Sequence, residues 1–448
     1  MRDLTQGSIP GHLIRLSLPM MFGMLFQTAY YLVDLWFVAR LGDAAVAGVS
    51  AAGNVQMIIM ALTQVLGVGT MPLIAQAVGR KDQADATLVF NQSVLWSFVC
   101  GVAVLVFGFA LSPLYLAQVG ADAATREAGL SYLRWYLPGL GLQFALVSTG
   151  AALRGTGIVK PTMAVQMVTV LLNIVLAPVL IAGWGTGRPM GVAGAGLAST
   201  IAIVVAVLLM LAYFFRLEHY VGFRRELLRV RLDVLRRMLV IGVPAGAEFA
   251  LMFVMAAVVY YVIRDFGAAA QAGYGIGVRV MQSIFLPAMA ISFSASPLAG
   301  QNMGAGNMAR VRETFHWAAL MGGVAMALLT ILTQLRADLF VSGFTTEPAV
   351  LAVSSDYLRV ISWNFVANGF LFTCSGMFQA LGNTIPSLVS SALRLTSFAL
   401  PALWLSTRDG FTLHQVWVLS VVTMTIQALL TTWLLVGELR RRGAYGAA

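Results

Sequence analysis

Charge is what this chain has least of. Only 10% of its 448 residues are Asp, Glu, Lys or Arg, and 59% are hydrophobic. A soluble domain carries roughly a quarter charged residues, so a soluble globular protein is excluded. Cysteine is nearly missing too. Cys100 and Cys374 both sit in apolar runs, where they read as packing residues rather than as a disulfide or a metal site. The four histidines are scattered without zinc-ligand spacing, and there is neither a Walker A sequence nor a Gly-rich nucleotide loop. No metal, no organic cofactor and no enzymatic chemistry is therefore expected, and ATP is excluded as the direct energy source.

What is present is a succession of apolar runs long enough to span a bilayer, which takes about 20 residues. Mean hydropathy is +0.84. The runs predict spans at 13–38, 45–77, 87–112, 126–152, 160–183 and 192–215, then 238–263, 269–302, 313–335, 350–380, 385–406 and 412–436. The first is too long for a cleaved signal, and eleven more follow it. The expected fold class is an all-α integral membrane protein with twelve transmembrane helices in two six-helix lobes.

The net charge of +10 is a topology signal and not a sign of nucleic acid. With these spans, 18 of the 28 Lys and Arg fall at one face and six at the other. The positive-inside rule makes the first face cytoplasmic, with both termini inside. Two of the cations are Lys and twenty-six Arg, a bias that points to a GC-rich bacterial source and so to the bacterial inner membrane.

The longest polar stretch, RLEHYVGFRRELLRVRLDVLRR at 216–237, carries seven arginines. It separates an N-lobe, 1–215, from a C-lobe, 238–448. The lobes match at a constant offset of 225 residues: Pro19 with Pro244, AAVAG (44–48) with AAQAG (269–273), PLIAQAVG (72–79) with PLAGQNMG (297–304), Tyr132-Leu133-Arg134 with Tyr357-Leu358-Arg359, and Pro161 with Pro386. Six spans per repeat is an even number, so the repeat is parallel, and transport by rocking of two bundles is the expectation.

A carboxylate inside a span costs about 2.5–3.5 kcal/mol on insertion scales. Two acids stand in that position, Asp34 and Glu248. Asp34 is read either as an ion-coupling group or as an acid reaching the outer interface. Glu248 is read either as an ion-coupling group or as half of a structural ion pair with Arg279 or Arg394. Pro19 and Pro244 each remove a helix hydrogen bond and are candidate kinks, structural or switching. Tyr30, Tyr31, Gln56, Gln64, Asn173, Tyr260 and Gln282 are candidate lining of an aromatic and amide-bearing cavity suited to organic cations or amphipathic drugs. Ordinary packing remains the alternative for each.

With DLWFVARLG (34–42), PLIAQAVGRK (72–81), ALRGTG (152–157), LNIVLAP (172–178) and ALGNT (380–384) in this order, the chain resembles the multidrug and toxic compound extrusion family over essentially its whole length. The resemblance implies two six-helix lobes exporting organic cations against an inward H⁺ or Na⁺ gradient, as a monomer among membrane lipids. Asp34 matches the family's acid in the first span, and Pro19 the proline at which that helix is thought to bend. Two departures stand out. Ala177 occupies the place of a second N-lobe acid found in one proton-coupled branch. The seventh-span acid of a Na⁺-coupled branch would fall at Met252, with Glu248 one turn earlier, and residues 368–371 hold no acid. A flippase for a lipid-linked precursor is the alternative function. A major-facilitator carrier ranks last, because the loop GRKDQADA (79–86) lacks that family's pattern.

Overall fold

The computed structural model describes residues 2–120, 122–218, 220–345 and 347–445, with the side chains of residues 29–35, 444 and 445 outside the described set. Helices α1 (Ile9–Ala39), α2 (Asp43–Gly79), α3 (Gln83–Val119), α4 (Ala123–Gly155), α5 (Lys160–Ile181) and α6 (Val192–Arg216) fill the first half. The second half holds α7 (Leu232–Ile263), α8 (Ala268–Ile284), α9 (Leu286–Gly304), α10 (Met308–Ser342), α11 (Pro348–Ile361), α12 (Phe365–Ala380), α13 (Ile385–Ser406) and α14 (Leu413–Tyr445). The protein is all-α, as expected. Among the described residues ten helices are long and apolar enough to cross a membrane, and α8 with α9, bent by 45°, makes an eleventh span. The stretch expected as one span at 350–380 is α11 and α12, joined through a 3-10 turn at Ser362–Asn364.

Two second-half spans thus break where their repeat mates, α2 and α4, are single continuous helices. Pro287 sits in the first turn of α9, where its missing N–H and its ring end the preceding helix. The mate position in the unbroken 37-residue α2 is Leu62. At the second break, side chains of α10 take up the freed carbonyls. Thr330 Oγ1 donates to Ser362 O at 2.9 Å and Gln334 Nε2 to Arg359 O at 2.7 Å. Without water in the hydrocarbon, such internal partners are what make the break tolerable.

The repeat persists into backbone geometry. Left-handed residues recur at the same offset: Gly42 and Gly267 at φ 105 and 87, Gly157 and Gly382 at 78 and 69, Gly185 and Gly410 at 77 and 80. Lys81, at φ 60, pairs with Gly306, at 73. The next residues are both side-chain caps: Asp82 accepts from Asp85 N at 2.9 Å and Asn307 from Arg310 N at 3.2 Å. A side chain in the left-handed region is disfavoured by about 1–2 kcal/mol. Lys81→Gly is therefore expected to leave the thermal midpoint of the purified protein unchanged or raised, offset in part by glycine's greater unfolded freedom. The reverse change, Gly306→Lys, should lower it.

By packing, the chain forms two compact units, Met1–Asp3 with Phe22–Gly246, and Leu4–Met21 with Ala247–Ala448. The cuts fall within α1 and α7, two residues beyond Pro19 and Pro244. The first unit therefore keeps the polar linker and the leading part of α7. Val234, Met238, Ile241 and Ala245 join its core with Phe90, Leu137 and Phe144. Contact is close enough that a Cβ on Gly242 would lie 1.9 Å from Val65 O. The second unit is built round Tyr274, Tyr357, Phe365, Phe398 and Trp417. It ties down the segment before α1: Leu4 N donates to Gln301 Oε1 at 2.9 Å, Asn302 Nδ2 to Leu4 O at 3.2 Å, and Arg310 Nη2 to Gly7 O at 3.0 Å.

The linker, expected as a basic segment on the cytoplasmic face, is docked on α3. The fully buried Asn91 and Gln92 face it with their amides. Asn91 donates to Gly222 O at 2.8 Å and accepts from Arg224 N at 2.9 Å. Gln92 donates to Leu227 O and Arg229 O at 2.6 and 2.7 Å and accepts from Arg231 N at 3.0 Å. Phe223 packs against Phe90 and Phe215, with ring centroids 5.1 and 5.2 Å away.

Candidate functional site

Glu248 lies at the middle of the 32-residue α7, one turn beyond Pro244. Its carboxylate accepts hydrogen bonds from Ser387 Oγ at 2.9 Å, from Ser375 Oγ at 3.3 Å and, at the limit, from Ser391 Oγ at 3.5 Å. Ser387 and Ser391 share a face of α13 because they are four residues apart, and Ser375 reaches in from α12. Behind them Gln427 of α14 donates through Nε2 to Ser391 Oγ at 3.0 Å. Four helices of the second unit thus enclose one acid with neutral groups.

No cation completes this shell. Sequence reading offered Arg279 and Arg394 as partners, and neither forms an ion pair with Glu248 among the described residues. Arg394 is one turn from Ser391 on α13, yet its Nε is buried without a hydrogen-bond partner. Serine dipoles offset a full buried charge only in part. Such a carboxylate can take a proton, or it can join hydroxyl oxygens as ligands of a small hard cation. Among the described residues no group of three His, Cys, Asp or Glu could hold a metal ion.

The other candidates are scattered. Asp34, Tyr30 and Tyr31 belong to α1, but their side chains lie outside the described residues. One turn and more before them, Gln27 Oε1 accepts from Gln166 Nε2 at 2.7 Å, which fastens α1 to α5 inside the first unit. Gln56 and Gln64 are half-buried on α2. Asn173 is fully buried on α5 and reaches Ser199 Oγ at 3.4 Å. Ala177, where one branch has an acid, is sealed from solvent. In the second unit Gln282 is exposed, and Tyr260 packs edge-on against Tyr274 at 4.9 Å. Tyr260 stands more than three turns from Glu248 on α7, about 18 Å along the axis, so the two do not share a site. The serines and Gln427 were not anticipated. The sole sequence cue was the four-residue spacing of Ser387 and Ser391.

An acid held without a counter-charge, inside one of two repeat-related helical bundles, belongs to the architecture of secondary transporters. The chain belongs to the MatE family: the family's model matches it twice, over residues 19–179 and 244–405. The matches begin at Pro19 and Pro244, the offset at which the sequence repeats itself. The chain is similar to the multidrug export protein MepA of Staphylococcus aureus (strain N315), 27% identical over 386 residues that cover 85% of this chain and 84% of the relative. It is also similar to the probable multidrug resistance protein YoeA of Bacillus subtilis (strain 168), 26% identical over 377 residues, 83% of this chain and 81% of that one. In fold it is similar to a crystal structure of MATE in the bent conformation, with a TM-score of 0.93 at 24% identity over 99% of this chain and 98% of that one. An outward-facing multidrug resistance MATE family transporter of the MOP superfamily gives 0.92 at 24% identity over 98% of each.

Proposed function

We propose that the protein is a secondary active antiporter of a bacterial cytoplasmic membrane, with both termini inside, that acts as a monomer. It exports organic cations or amphipathic drugs in exchange for H⁺ or Na⁺. The observation that carries this is the Glu248 shell: a carboxylate midway along a membrane helix, hydrogen-bonded by serines and unpaired with any described cation. Occupied by a proton or by Na⁺ it is neutral and tolerates burial. Empty, it favours a conformation that admits water. That difference couples an ion gradient to a change of shape. Asp34, on α1 of the first unit, is the other candidate coupling group, although the repeat offset sets it against Val259 and not against Glu248. Pro19 and Pro244 lie within two residues of the points where α1 and α7 pass between packing units, so each helix can flex there. The drug-export class comes from the relatives, MepA being a multidrug export protein and YoeA a probable multidrug resistance protein. No feature favours the lipid-precursor flippase.

The test is transport in proteoliposomes with a fluorescent organic cation, under an imposed pH gradient or an imposed Na⁺ gradient. Asp34→Asn is expected to fold and to lose export under the gradient that drives the parent. If neither gradient moves any organic cation, the antiport reading falls.

A further inference from the structure

A second charge in the second unit has no assigned work. Arg394 stands near the middle of the 22-residue α13, and its Nε is buried without a hydrogen-bond partner. A guanidinium stays protonated at any physiological pH, so a full positive charge sits at membrane depth with no carboxylate on it. It lines an open cavity of about 510 Å³ between α13 and α14 whose walls include Leu430 and the exposed side chains of Leu393, Leu400 and Ile426. The hydroxyls in the same wall are already committed as donors to their own helices. Ser390 donates to Ser387 O, Thr396 to Ala392 O, Ser397 to Arg394 O and Thr423 to Leu419 O. Gln427 Oε1, also buried and unpartnered, is an acceptor and does not compete for an anion. The guanidinium is therefore the uncommitted donor of an otherwise apolar space.

We infer that this cavity binds an amphipathic organic carboxylate, its acid group on Arg394 and its apolar body between α13 and α14. Three physical points select that chemistry. The volume lies within the range that encloses drug-sized ligands, about 300–1,000 Å³. The planar guanidinium presents paired N–H groups that match a carboxylate. Phosphate headgroups lie at the bilayer surface, about 15 Å from mid-membrane, and they do not shed their charge, whereas a carboxylic acid can enter hydrocarbon neutral and ionise against the arginine. The inference rests on the export reading and adds an anionic substrate class to it.

The experiment is equilibrium binding of a dansyl-tagged fatty acid, its methyl ester and its trimethylammonium analogue to purified protein without any gradient, so that it stays informative if cation export fails. The acid should bind at least about ten-fold tighter than the ester, a preference of the size expected for a charge-assisted pair. Arg394→Gln should bring the acid down to the level of the ester. Arg394→Lys keeps the charge and most of the volume but loses the paired geometry, and should fall between. It also guards against a glutamine variant that fails to fold. Equal binding of acid and ester by the parent overturns the proposal, as does tighter binding of the ammonium analogue or an acid affinity unchanged in both variants.

Discussion

Glu248→Gln is expected to reduce gradient-driven export by at least about ten-fold while leaving the protein as stable as the parent or more so. Glutamine fills nearly the same volume and keeps an oxygen for Ser387, so the shell of serines survives. What disappears is the titratable charge, whose placement in a membrane helix is disfavoured by about 2.5–3.5 kcal/mol. A residue retained for stability would behave in the opposite way. Glu248→Ala makes the contrast sharper, because it strands serine hydroxyls without their acceptor, at about 1–3 kcal/mol for each buried group left unpaired. The glutamine variant should therefore lose transport without stability, and the alanine variant both. Ser387→Ala removes the shortest of the three hydrogen bonds, 2.9 Å, and should shift the pH or Na⁺ dependence of export before it lowers the maximal rate. Proteoliposome export and thermal midpoints measured side by side decide the matter. Export by Glu248→Gln at the parental rate would make the carboxylate structural and move coupling out of the second unit.

The parts of this molecule that were legible in the sequence are those written in local chemistry. Apolar runs gave the helices, and the offset of 225 gave the repeat, which the left-handed backbone at Gly157 and Gly382 then extends. Glu248 was visible because an acid in an apolar run is conspicuous. Its surroundings were not. Serine is common on membrane helices, and which serines meet one acid depends on how α12 and α13 are rotated against α7. The ion pair weighed for Glu248 failed for the same reason: Arg394 is only one turn from Ser391, but its side chain leaves along another direction. The break at Phe285 follows from Pro287, a residue that an average over a long apolar window passes over. The docking of the linker was also hidden. Its own residues show only a basic, polar stretch between the lobes, while the Asn91 and Gln92 that hold it lie inside a hydrophobic helix more than a hundred residues away.

That docking leads to the second large effect. Asn91→Leu combined with Gln92→Leu is expected to make the linker a trypsin substrate. In the parent, seven arginines between 216 and 237 offer cleavage sites, but the backbone of Gly222, Arg224, Leu227, Arg229 and Arg231 is held by the two amides. Val221 is fully buried, and Phe223 packs in tilted and edge-on contact with Phe90, Phe214 and Phe215. A protease needs an extended stretch of chain, so cleavage waits for this strap to lift. Leucines at 91 and 92 leave five main-chain groups facing apolar side chains, at about 1–3 kcal/mol each where they stay buried. Opening becomes easier by several kcal/mol, and cleavage should accelerate by about 100-fold or more, since each 1.4 kcal/mol is a factor of ten. Two fragments of nearly equal size are the readout. The cluster of Arg237 and Arg80 on the half-buried Asp85, at 2.8–3.0 Å, cannot replace the amides, because it engages only side chains and leaves the main-chain groups of residues 222–231 unpaired. An unchanged cleavage rate would mean that Phe223 and its ring partners hold the strap alone, and Phe223→Ala would then release it. If the amides do hold it, the linker and the leading part of α7 are one packed piece of the first unit, and α7 leaves that unit only after Gly246, two residues before Glu248.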